Sequence, residues 1–235
     1  MLPTIDTRRS PPVAVLAAAS RRQRRRLWQH IAVGGICSAL LLPLAVVWLR
    51  PYVARLRYQP REGDVVFQSL PLNPLVAAIE GATESPFSHC GLVARRDDRW
   101  VVIEALHGVE ETPLNSWLAR GRGGGFAVYR FRPEFERHIP ETIAAARRML
   151  GRPYDPRYRW DDEQIYCSEL VSKAFEQAAG RQIGKRVRLG ELHWQRFRPT
   201  IERIEGGVVP LDREMVTPRD LAAAEELQEV ARFGL

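Results

Sequence analysis

The sequence lacks the residues and spacings on which most small frameworks and cofactor sites are built. Cysteine occurs three times in 235 residues, at Cys37, Cys90 and Cys167. The three are far apart and none forms a CxxC pair, which excludes a disulfide scaffold and a paired-cysteine zinc or redox motif, so any functional thiol is expected to act alone. There is no HExxH and no GxSxG, the signatures of a zinc hydrolase and of a serine-hydrolase elbow. The glycine run Gly121–Gly125 lacks the Lys-Ser/Thr ending of a phosphate loop and reads as a flexible turn. Asp161-Asp162-Glu163 lacks calcium-loop spacing and reads as charge at a helix entry. This inventory predicts no cofactor and no metal. Acidic residues are nearly missing from residues 1–61, which carry eleven Arg against one acid, a balance of +10. The formal charge of +7 therefore sits on that segment and the remaining 174 residues sum to −3, so the folded part offers no basic surface for nucleic acid.

What is present begins with a long apolar run. Ile31 to Leu49 is uncharged over nineteen residues, close to the ~20 needed to cross a bilayer, with Trp28 and Trp48 at its ends. Pro43 is tolerated in a membrane helix. The predicted organisation is a basic tail over residues 1–26, a transmembrane anchor over 27–50, a linker over 51–62 and one folded domain over 63–235. A cleaved signal peptide is the rival, but no small-x-small site follows the run. Five Arg before the span against four after it place the N-terminus in the cytoplasm and the domain on the extracytoplasmic side of a single-pass membrane protein.

Beyond the linker the pattern predicts α+β structure. Val65-Val66-Phe67 reads as a buried strand. Asn73-Pro74 opens a short helix that Gly81 ends. Ser88–Arg95 and Trp100–Ala105 form a hairpin turning at Asp97-Asp98, and Ala127–Phe131 is a further strand. Helices follow over Pro140–Leu150 and Cys167–Ala179, and a last one runs from a Thr217-Pro218 cap to Val230. Residues 181–203 hold seven basic and two acidic residues with Trp194 and Phe197 among them. They read as a solvated loop, with anionic headgroups as the alternative role.

The hairpin carries chemistry. With the turn at Asp97-Asp98, Arg95 faces Trp100, Val93 faces Val102 and Gly91 faces Glu104. One face is then wholly apolar, Cys90 included, which fixes the register. His89 and Glu104 fall on the other face as diagonal neighbours, within side-chain reach, whereas His107 points away. Cys167 opens a helix, where amides and dipole favour a thiolate. A cysteine, a histidine and an acid are the parts of an acyl-transfer site. The same residues also describe a buried thiol, a satisfied strand histidine and a solvated glutamate, and spacing alone does not decide.

Five motifs occur in order: Gly63-Asp64-Val65-Val66-Phe67-Gln68; Ser88-His89-Cys90-Gly91; Glu104-Ala105; Gly151-Arg152-Pro153-Tyr154-Asp155; and Tyr166-Cys167-Ser168-Glu169-Leu170-Val171. Together with Pro210-Leu211-Asp212 and Thr217–Leu221 they resemble the circularly permuted papain-like enzymes of the NlpC superfamily, the YiiX-like family, over residues 63–221. The histidine strand precedes the cysteine helix, the reverse of ordinary papain-like order. The resemblance implies a central antiparallel sheet with packed helices, Cys167 as nucleophile, His89 as general base, Glu104 as polar third member and Tyr154 near the active site. It implies an amide- or ester-containing substrate, acylated or lipid-linked, and a pocket for an acyl chain. A catalytically inactive lipid- or cell-wall-binding module on the same fold is the alternative. Cys90, where an aliphatic residue is commoner, and the N-terminal anchor depart from the family pattern.

Overall fold

A computed structural model describes residues 57–235, so the expected tail, the anchor and linker residues 51–56 lie outside the described residues. Among the described residues no helix is long and apolar enough to cross a membrane. The strands are β1 (Val65–Gln68), β2 (His89–Arg96), β3 (Arg99–Ala105), β4 (Val109–Pro113), β5 (Phe126–Phe131), β6 (Val187–Arg188), β7 (Glu214–Met215) and β8 (Leu227–Phe233). The helices are α1 (Pro74–Thr83), α2 (Leu114–Arg120), α3 (Ile139–Arg148), α4 (Cys167–Ala179), α5 (Arg198–Glu205) and α6 (Pro218–Ala222). Six strands form one antiparallel sheet in the order β4-β3-β2-β1-β5-β8, and β6 pairs with β7 separately. The expected α+β class with a central antiparallel sheet is thus observed.

The two-period pattern of the strands sorts their side chains onto two covered faces. Phe67, Cys90, Leu92, Ile103 and Ala127 join one core with Ile143, Leu170 and Phe175 of α3 and α4. Val66, Val93, Val102 and Val128 join a second core with Leu114, Trp117 and Leu118 of α2. Each fully buried Leu or Phe contributes roughly 1.5–3 kcal/mol, and Phe131 stacks on Phe175 with centroids 5.1 Å apart. The hairpin register is as expected, with Arg95 opposite Trp100 and Val93 opposite Val102, and Asp97 adopts φ +53° in the turn. Asp64 anchors β1 by accepting from Tyr58 Oη at 2.8 Å and Arg130 Nε at 2.7 Å.

Three expectations are corrected. Gly81 does not end α1, which continues to Thr83 and stops where Glu84 enters the left-handed region at φ +49°. Gly81 instead admits the Phe197 ring, since a Cβ there would lie 2.0 Å from its Cζ. The single helix from Thr217 to Val230 is replaced by α6 and β8. Thr217 does cap α6, accepting from the Asp220 amide at 3.1 Å. Leu227–Phe233, however, pairs with β5, whose open edge supplies backbone hydrogen bonds that outweigh the helix propensity of Ala222-Ala223-Ala224-Glu225-Glu226. A register shift between Val128 and Tyr129 lets β8 serve both faces: Leu227 packs into the first core, Ala231 and Phe233 against the second. Residues 181–203 hold β6 and the start of α5 rather than a loop alone.

Candidate active site

His89 opens β2 and Glu104 lies near the end of β3. Gly91 lets them meet, because a Cβ there would come within 2.4 Å of Val102 Cγ1 and 3.3 Å of Glu104 Cβ. His89 Nε2 lies 2.5 Å from Glu104 Oε2. The carboxylate is fully buried and so requires further donors. Thr112 Oγ1 of β4 donates to Oε1 at 2.5 Å, and Arg120 Nη2, at the end of α2, donates to Oε2. Burial alone would raise the Glu104 pKa, but the hydrogen bonds and charges of His89 and Arg120 outweigh it and bring it down to about 2. Trp117 of α2 stacks over the His89 ring with centroids 6.1 Å apart.

Cys167 is the first residue of the thirteen-residue α4. That helix start is held from several sides. The Tyr166 amide donates to Glu169 at 3.2 Å, Ser168 Oγ donates to the Val216 carbonyl at 2.7 Å, and the Val216 amide donates to Tyr166 Oη at 3.1 Å. Cys90 and His89 are the groups that act most strongly on the Cys167 thiol. Cys90 is the largest influence; with His89 it outweighs burial and holds the Cys167 thiol well below its ordinary pKa. For His89, burial is the largest influence and acts downward, yet the bonds and charges of Cys167 and Glu104 lift the ring to about 9. The two shifts favour the charged form of each group, with Glu104 behind the ring. Cys90 packs in the core, as its place on the apolar face of the hairpin predicts. The β2–β3 pattern put Cys90 on the apolar face correctly, but α4 brings Cys167 to that same face.

Tyr154 is partly buried between two cores, and its hydroxyl lies 3.1 Å from that of Tyr158. Burial first, then the nearby Cys167 charge, raises its pKa. Beyond Tyr158 opens an apolar pocket lined by Leu75, Ile79, Leu189, Leu192, Ile201 and Met215 among others. Neither Cys167 nor His89 lines it; the Tyr154–Tyr158 pair stands between. Among the described residues no group of three or more His, Cys, Asp or Glu is placed to share a metal ion.

Residues 59–231 match the family model described as permuted papain-like amidase enzyme, YaeF/YiiX, C92 family. The chain belongs to this permuted papain-like amidase family. The curated relative "Uncharacterized protein YiiX" of Escherichia coli K12 is 32% identical over 192 residues, covering 80% of this chain and 95% of that protein. A crystal structure of yiiX from Escherichia coli O157:H7, described as a metalloprotein, superposes with a TM-score of 0.70 at 32% identity over 74% of this chain and 98% of that one. Membership of the amidase family accounts for the histidine strand preceding the cysteine helix.

Sequence reasoning missed Thr112, Trp117 and Arg120, all in the stretch Val109–Arg120 that it left unread. Leu114, Trp117 and Leu118, all buried, sit at helical spacing and would have marked α2 and hence Arg120. It also missed Gln68, fully buried and opposite His89 in the sheet, whose side-chain amide atoms have no hydrogen-bond partner.

Proposed function

We propose that the protein is a membrane-anchored cysteine hydrolase of the amidase or acyl-transfer type, with Cys167 as nucleophile, His89 as general acid–base, Glu104 as the group that holds the ring and Tyr154 beside the sulfur. The observation that carries this reading is the buried His89–Glu104–Arg120 hydrogen-bonded series, whose imidazole charge helps draw the Cys167 thiol at the start of α4 below its ordinary pKa. The thiolate attacks the carbonyl carbon of an amide or ester, and the oxyanion that forms is met by the Cys167 amide at the start of α4. His89 gives its proton to the departing amine or alkoxide, then takes one from water as the thioester is hydrolysed. The apolar pocket past Tyr158 suits the acyl chain of a lipid-linked substrate. An anchor over residues 27–50 would hold the domain, on the extracytoplasmic side, beside such lipids.

The relative described as a metalloprotein raises the question of an ion here. The donor set does not fit one: His89 is engaged by Glu104, and among the described residues no group of three or more His, Cys, Asp or Glu forms around it. The near-complete burial of Cys167, 1% exposed, favours a second reading, a lipid-binding module without turnover. Trapping decides between them. Full-length protein incubated with long-chain acyl esters and N-acyl amides is expected to carry a hydroxylamine-labile acyl group on the Trp160–Lys173 tryptic peptide, absent in Cys167→Ala. Carbonate-washed membranes are expected to retain that chain uncleaved. Binding of the acyl ester with no adduct, or turnover that persists in Cys167→Ala, contradicts the hydrolase.

A further inference from the structure

The apolar pocket is framed by exposed apolar side chains that no core accounts for. Among the described residues five large apolar side chains are exposed, and three of them, Leu72, Val208 and Leu211, belong to the segments around this pocket. Leu72 stands three residues ahead of the pocket-lining Leu75, on the turn into α1. Val208 follows α5, whose Ile201, Ile204 and Glu205 line the same pocket. Its neighbour Val209 packs in one cluster with Leu75, Ile79 and Ile201. Leu211 is tied to that cluster through its carbonyl, which accepts from the amide of Gly190, next to Leu189, at 2.8 Å. Leu72 is 68% exposed and Val208 89%, so both stand outside the pocket wall.

The charge beside these side chains has one dominant sign. Residues 181–203, which lead into α5 and form most of it, hold seven basic and two acidic residues, in a part of the chain that otherwise sums negative. Arg196, Arg198 and Arg203 are exposed there. Arg157, also exposed, donates from Nε to the Ile204 carbonyl at 3.3 Å, at the end of α5. Among the described residues only Arg198 of these four has a carboxylate within ion-pair distance, Glu202 at 3.1 Å. Apolar side chains that stand out beside unpaired arginines match the boundary of an anionic bilayer, where hydrocarbon and phosphate lie a few ångströms apart. A second copy of the chain fits less well, because a two-fold contact through this rim would bring like charges together. We propose that the rim formed by the turn into α1, by α5 and by residues 206–211 docks the domain on an anionic membrane, with Leu72 and Val208 among the headgroups and the arginines on lipid phosphates. The inference rests on the lipid-linked substrate of the proposed function and adds its route: the acyl chain enters the pocket directly from the bilayer, past α1 and α5, and does not cross water.

The test is hydroxyl-radical footprinting of the full chain in lipid nanodiscs, read residue by residue by mass spectrometry. Leu150 and Val230 are exposed on other segments and serve as internal standards. In discs of phosphatidylcholine mixed with phosphatidylglycerol, Leu72 and Val208 are expected to label at least about threefold less, relative to those standards, than in discs of phosphatidylcholine alone. Arg196→Glu combined with Arg203→Glu, checked for a native circular-dichroism spectrum, is expected to abolish that difference. Equal labelling of Leu72 and Val208 in the two kinds of disc overturns the proposal, and so does a chain that associates with neither. Protection that grows with protein concentration in detergent without lipid also overturns it, and assigns the rim to a second copy. The wild-type comparison needs no variant to fold. The hydrolase is scored separately, by the Cys167 adduct with a short, water-soluble acyl ester: an unchanged footprint with the adduct present sinks the docking alone, and a protected rim with no adduct sinks the hydrolase while the docking stands.

Discussion

At the residue scale the site is an account of one buried carboxylate. Glu104 stays ionised because His89, Thr112 and Arg120 meet its oxygens, and removing a partner from a buried charge costs far more than forming the pair gains. Arg120 is then a positioning residue for His89, acting through Glu104. Arg120→Ala is expected to lower kcat about a hundredfold with little change in KM, as a displaced base does, and Arg120→Lys to restore part of it. Equal losses in every substrate's KM instead would mean that Arg120 binds substrate. The pairing of His89 with Glu104 was legible because strand alternation and a two-residue turn fix which side chains are neighbours. Arg120 was not legible, because it arrives from α2 across a gap that no local periodicity bridges.

At the element scale, tertiary contact overrode local signals twice. Gly81 resembles a helix stop, yet its role is to let Phe197 close against α1. Gly81→Ala gains ~1 kcal/mol of helix propensity and is expected to lose about 1–3 kcal/mol to overpacking, for a net fall in urea stability. Combined with Phe197→Ala, the overpacking disappears and the two effects are non-additive. Additive effects would show that Gly81 acts through the backbone alone. The stretch ending in β8 is the other case, where the free edge of β5 decided between helix and strand. Elements with strong caps and clear periods were read to within a residue or two, as α4 and the β2–β3 hairpin show. Those whose conformation depends on a partner far along the chain were not.

At the scale of the whole molecule, the site leaves its mark on stability against pH. Glu104, brought from an ordinary 4.5 to about 2, contributes stability present above pH 4.5 and lost as pH falls through 2. His89, raised from 6.5 to about 9, contributes stability present below pH 6.5 and lost as pH rises through 9. Cys167, lowered well below its ordinary 9, contributes in the opposite sense across that window. Folding there only moves a proton from sulfur to imidazole, so the pair binds no net proton. The contribution of this pair to the urea midpoint is expected to be flat from pH 6.5 to 9 and to fall on the acid side. A fall between 6.5 and 9 that vanishes in His89→Ala would mean that Cys167 is a neutral thiol.

The most direct test of the central claim, a thiolate at Cys167 made by His89, is the rate of iodoacetamide alkylation of each cysteine as a function of pH. Cys167 is predicted to label rapidly below pH 7, with Cys90 inert, and to slow at least tenfold in His89→Ala. Labelling of Cys167 no faster than a free thiol, with the same profile in His89→Ala, would contradict the account.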